Sequence, residues 1–73
     1  MKIEYDPEAD ALYIQLREAI PKKNIDVAEG VTVDLDKEGI IVGLEILWAR
    51  ERLGPEALAK ISIENFPVAP ATS

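Results

Sequence analysis

The stretch from Val31 to Trp48 constrains this chain more than any other. It reads Val-Thr-Val-Asp-Leu-Asp, then Lys-Glu-Gly, then Ile-Ile-Val-Gly-Leu-Glu-Ile-Leu-Trp. The first half alternates apolar and polar residues, the pattern of a half-buried strand, and the second is a nearly continuous apolar strand. Asp36-Lys-Glu-Gly39 between them matches a three-residue hairpin loop closed by a left-handed glycine. That loop pairs Asp36 with Ile40 and Leu35 with Ile41. An unbroken ladder would then set Val31 opposite Glu45 and turn a carboxylate into the core, because a one-residue slip exchanges the two faces.

Two arrangements avoid this. A four-residue loop sends Ile40, Val42, Leu44, Ile46 and Trp48 inward. A three-residue loop with a bulge at Gly43 brings in Ile41, then Leu44, Ile46 and Trp48. A glycine inside a strand often marks a bulge, which favours the second. Both leave Glu45 outside, and both leave Leu47, with Ile40 or Ile41, on the outer face. Large apolar residues on an outer face suggest a second buried surface. Ile40, Ile41, Leu47 and Trp48 are therefore the candidate interface residues, with Trp48 the leading anchor.

The rest of the chain falls into place around this hairpin. Lys2–Asp6 and Ala11–Glu18 alternate and form a first hairpin. Asp6-Pro-Glu-Ala-Asp10 is its turn: Pro7 pre-sets a turn φ, and the Asp6 carboxylate can accept a local backbone N–H. Asp6, Pro7, Asp10, Gly39 and Gly43 are read as structural turn residues. Pro21 ends the second strand. Ile25, Val27 and Ala28 suit a short edge segment. Ala49–Leu53 suits one helical turn broken by Gly54, and Pro55 suits the first position of a helix through Lys60. Ile61–Phe66 alternates weakly, as a last strand or a strap. The expected fold is α+β: an antiparallel sheet of about four strands in two hairpins, with one short C-terminal helix on one face. Residues 1–66 make the single domain and 67–73 a disordered tail.

A chain of 73 residues buries only roughly 60% of its unfolded surface. Small domains add disulfides, a metal or oligomerisation. With no cysteine and no histidine, disulfides, thiolate sites and the usual zinc sites drop out, and no Ser-His-Asp arrangement can be built. Self-association remains, with a dimer favoured. A net charge of −6 with eight scattered cations argues against nucleic acid and for solubility or a basic protein partner. No apolar run reaches the ~20 residues of a membrane span, and a charged N-terminus is unlike a signal peptide. The expected location is cytoplasmic. No cofactor is implied.

One motif suggests metal chemistry. Asp34-x-Asp36-x-Glu38-Gly39, with Glu45 six residues on, approaches the calcium loop of an EF-hand. Its flanks are strands rather than helices, and in an extended strand Glu45 lies roughly 20 Å from the turn tip. The simpler reading is an acidic hairpin turn. Asp6 and Asp10 are likewise read as turn caps rather than an acid–base pair, which would need a pocket and perturbed pKa values.

Tyr5-Asp-Pro-Glu-Ala-Asp-Ala-Leu-Tyr-Ile-Gln-Leu16, Val33-Asp-Leu-Asp-Lys-Glu-Gly39 and Val42-Gly-Leu-Glu-Ile-Leu47 together resemble the small prokaryotic proteins of the domain-of-unknown-function family DUF2283, over about residues 3 to 50. Ile40 departs from the polar turn residue common there. The resemblance implies a small antiparallel α+β domain without an assigned reaction. Some members are suspected partners of toxin-like proteins. The expected function is thus a non-catalytic, self-associating interaction module, with an antitoxin-like role as an extension. The alternative is a metal- or small-molecule-binding protein or enzyme using Asp34, Asp36 and Glu45.

Overall fold

The computed structural model of the chain describes residues 1–64. Five strands, β1 (Lys2–Asp6), β2 (Ala11–Gln15), β3 (Lys23–Ala28), β4 (Val31–Leu35) and β5 (Ile41–Leu47), precede two short helices, α1 (Ala49–Leu53) and α2 (Pro55–Leu58). The strands form one antiparallel sheet in the order β1-β2-β5-β4-β3. The α+β class is as expected, with one strand and one helix more. The added strand is β3, whose apolar residues looked too few for more than an edge segment. The helical turn expected at Ala49–Leu53 counts as α1, Gly54 at φ 86° breaks it as expected, and α2 opens at Pro55 but ends at Leu58 rather than Lys60. Residues 61–64 hold no regular element, which removes that part of the suggested last strand. Residues 65–66 and the expected tail at 67–73 lie outside the described residues.

Consecutive hairpins join β3, β4 and β5, and β5 returns beside β2. This is a Greek key, whose long connection here is residues 16–22. That connection crosses the end of the sheet where the β4–β5 turn sits. Lys22 N–H donates to the Leu35 carbonyl at 2.8 Å.

The β4–β5 hairpin keeps the three-residue loop. Asp36 N–H donates to the Ile40 carbonyl at 2.9 Å and Gly39 N–H to the Asp36 carbonyl at 3.0 Å, with Gly39 at φ 85°. Leu35 lies opposite Ile41 and Asp34 opposite Gly43. The extra residue is therefore Val42, one position before the bulge expected at Gly43. The Val42 carbonyl accepts from the Leu16 and Arg17 N–H groups, at 2.7 and 3.4 Å. Val42 is 1% exposed and Ile41 41% exposed, so Val42 takes the core place that the sequence reading gave to Ile41. Gly43 serves packing instead. A Cβ there would lie 2.6 Å from a Tyr13 ring carbon and 2.9 Å from the Ile14 carbonyl oxygen.

With the bulge in place the two faces separate cleanly. Paired residues share a face, so Ile3, Ile14, Leu44, Val33 and Ile25 form one apolar row. Tyr5, Leu12, Ile46 and Val31 form the next. Glu4, Tyr13, Glu45, Thr32 and Asp26 form a row on the opposite, polar face. The helical segment lies over the β1–β2 half of the apolar face, where Leu53, Leu58 and Ile61 line a groove with Ile3, Leu12 and Ile14. Among the described residues only Leu12, Val42 and Ala49 are buried apolar residues. The radius of gyration is 14.3 Å, where a compact chain of this length has about 11 Å.

Gly43→Ala is expected to destabilise the fold by about 1–3 kcal/mol, the usual cost of overpacking a tight site. Urea unfolding measures it, and a midpoint equal to wild type would refute the close approach of Tyr13.

Candidate functional site

Two carboxylates and one tyrosine organise the polar groups. Asp10 ends the β1–β2 turn at φ 52°, a left-handed conformation that Asp and Asn tolerate better than most residues. Its Oδ1 accepts from the Tyr5 hydroxyl at 2.6 Å and from the Arg50 N–H at 2.8 Å. Its carbonyl accepts from Ala49 N–H at 2.9 Å. The start of α1 has no capping side chain at Trp48, so its orphan N–H groups are met by Asp10 from across the chain. Asp6 does what the sequence predicted, accepting Glu8 and Ala9 N–H on Oδ1 at 3.0 and 3.4 Å. Asp10 does something further. A helix opening on Trp48-Ala49, without Ser, Thr, Asp or Asn, is the signal that a distant cap is needed.

Asp36 is the second node. Its Oδ1 accepts from Glu38 N–H and Ile40 N–H, each at 2.9 Å, while Oδ2 is bridged by Arg17. Arg17 also donates through Nε to the Ile41 carbonyl at 2.7 Å. One guanidinium thereby ties the crossover to the hairpin turn. Nothing in the alternation around Arg17 announced this role.

Tyr13 lies at the middle of the polar face. Its hydroxyl donates to Asp34 Oδ2 at 3.1 Å. Burial, then the Asp34 hydrogen bond, push its pKa above the ordinary tyrosine value. All the carboxylates on the strands, Glu4, Asp6, Asp26, Asp34 and Glu45, sit on this face by register. A shallow depression there is lined by Glu4, Asp6, Pro7, Tyr13 and Glu45. Asp26 accepts from the Thr32 hydroxyl at 3.1 Å.

The residues of the calcium-like motif are dispersed among these tasks. Asp34 holds Tyr13, Asp36 holds the turn and Arg17, Glu38 is exposed in the loop, and Glu45 lies opposite Tyr13 and Thr32. Among the described residues, no three carboxylates are close enough to share a metal ion.

The candidate interface residues are also dispersed. Ile40 is 51% exposed and pairs with Asp36 at the turn. Leu47 is half-buried opposite Ala11, at the far end of the same polar face. Gly43 and Glu45 separate the two, so they form no apolar patch. Ile41 shares the apolar face with Leu35. Trp48, in a left-handed conformation at φ 54°, lays its ring over Gly30. The Arg52 guanidinium stands 5.4 Å from the ring centre and bonds the Glu29 carbonyl. Trp48 therefore anchors the β3–β4 turn while leaving 42% of its surface exposed.

A family model described as "Protein of unknown function (DUF2283)" matches residues 2–50. The chain belongs to that family. Neither a curated protein nor a solved structure matches it. No helix among the described residues is long and apolar enough to cross a membrane.

The two nodes give the fold an acid dependence. The Tyr5 hydroxyl, then the Arg50 N–H, hold the Asp10 carboxyl below its usual range. The Ile40 N–H, then Arg17, do the same for Asp36. A carboxyl depressed in the folded state stabilises it fully above the unfolded pKa near ~3.9 and loses that contribution as pH falls through the folded value. The melting temperature should thus be level from pH 7 to about 5 and fall below about 4. Asp10→Asn with Asp36→Asn should flatten that acid limb; an unchanged limb would show that other carboxylates set it.

Proposed function

We propose that this DUF2283 protein is a non-catalytic association module that joins first with a second copy of itself. One observation carries the reading: among the described residues no helix lies over the β4–β3 half of the apolar sheet face. Ile25 and Ile41, on that face with Val33 and Leu35, are 51% and 41% exposed. Exposed apolar patches rimmed by polar residues mark interaction sites. With three buried apolar residues among those described, and neither cysteine nor histidine, the chain relies on association for further burial. Asp6 and Asp36 hold turns, Asp10 a helix start and Asp34 a tyrosine.

The carboxylate-lined face favours a second partner as well. Glu4, Asp26, Asp34 and Glu45 present negative charge away from the apolar side, which suits a basic protein. An antitoxin-like role would use this surface, leaving the apolar one to self-association.

Sedimentation equilibrium is expected to return twice the 8.0 kDa chain mass at micromolar concentration. The chain mass alone, at every concentration up to millimolar, would sink the self-association reading. Micromolar calcium is expected to leave the melting temperature unchanged. A rise that Asp34→Ala abolishes would restore the carboxylate site, since a ligand of the folded state stabilises it by mass action.

A further inference from the structure

Among the described residues the helical layer lies over one half of the apolar face. Seen from that side the molecule is a step: the helical layer stands over β1 and β2, while among the described residues the β4–β3 half carries no helix. Its exposed apolar residues are Ile25 and Ile41, with β4 half-buried and Trp48 and Arg52 reaching only the β3–β4 turn. β5, the central strand, runs along the foot of the step. We infer that a second copy fills this step isologously, each copy's helical layer lying over the other's β4–β3 half, with the two-fold axis near β5. The inference rests on the self-association reading above and adds the face and the geometry.

Three observations select a second copy on this face. The first is shape. A step repeated about a two-fold is self-complementary, which an isologous interface requires. The second is charge. All the strand carboxylates lie on the opposite face, and the register puts one charged strand residue, Lys23, on the apolar face opposite Leu35. Two copies of a chain of net charge −6 can meet here without setting carboxylate against carboxylate. Meeting through the polar face would crowd Glu4, Glu45 and Asp34 against their equivalents, which is destabilising.

The third is area. Two strands spaced roughly 4.8 Å apart, each about five residues long at roughly 3.3 Å per residue, give a half-face on the order of 160 Å² in projection. Specific interfaces bury about 800 Å² on each partner. The flat half-face alone falls short, so the contact must take in the raised layer too. That layer offers apolar surface on the same side: Leu53 is 44% and Ile61 66% exposed, and both line the groove with Ile3 and Leu12.

The absence of cysteine makes a direct test simple. Ile25→Cys and Leu53→Cys chains, both altered at exposed positions, are co-refolded and treated with a thiol crosslinker about 10 Å long, the face-to-face spacing of packed layers. Each chain carries one thiol, so any product is intermolecular. The expected result is a species of twice the 8.0 kDa chain mass, with no such product from Glu45→Cys on the opposite face. A dimer that crosslinks through Glu45→Cys overturns the geometry and leaves self-association standing. A monomer by sedimentation overturns both. If such a monomer also loses stability on truncation after Glu64, the β4–β3 half-face belongs to the chain's own final segment.

Discussion

The structure depends on a parity constraint in the β4–β5 hairpin. The acidic loop demands a three-residue turn, and the apolar pattern of β5 is one residue out of step with it. The single extra residue at Val42 restores the phase. Its carbonyl accepts two N–H groups from the end of β2, so the bulge is satisfied rather than merely tolerated, as buried backbone groups require. Everything beyond it follows: Leu44 and Ile46 meet Val33 and Val31, while Glu45 meets Thr32. Without the shift, β5 could dock on β2 and β4 only by turning Glu45 into the apolar face, at several kcal/mol for an unpaired carboxylate.

A sheet so lightly buried holds its parts together with polar nodes. Asp10 joins a turn, a tyrosine of β1 and the first turn of α1, which are 5 and 40 residues away from it in sequence. Arg17 and Asp36 join the crossover to the hairpin it must pass. Each node spans a junction where the apolar pattern supplies no register of its own. In the Tyr5-Asp-Pro-Glu-Ala-Asp10 segment, Asp6 caps locally and Asp10 at a distance. Two aspartates four apart thus serve different ends, and an acid–base pair is not needed to account for either.

The strands were legible because alternation is a local signal. The hairpin loop was legible because Asp36-Lys-Glu-Gly39 has one low-energy solution. The position of the bulge was off by one, since Gly43 invites a bulge by its lack of a side chain. It is needed instead for the Tyr13 ring that crosses it, a tertiary contact with no trace in the periodicity. β3 was underestimated because an edge strand of this sheet has no buried side chain to advertise it. The roles of Arg17 and Asp10 lie in pairings across the chain, which spacing does not encode. Leu47 does share the outer face with Ile40, but Gly43 and Glu45 part them, and Ile41 lies on the apolar face: which isoleucine joins Leu47 is settled only once the phase of β5 is known.

The same phase bears on how such a protein could act. A two-sided sheet normally hides one face under a helix of three or four turns. Here the helices have five and four residues, are parted by Gly54, and pack on the apolar face over the first two strands, with Arg52 reaching the β3–β4 turn. On the proposed self-association, further apolar burial and occupation of the β4–β3 half-face would be one process, and stability would depend on protein concentration as in obligate dimers. The polar face stands apart from that process. There Asp34 is held by Tyr13 and Asp26 by Thr32, while Glu4 and Glu45 stand on the same face without such a bond among the described residues. On the same proposal, a basic partner would dock there without competing for the apolar surface.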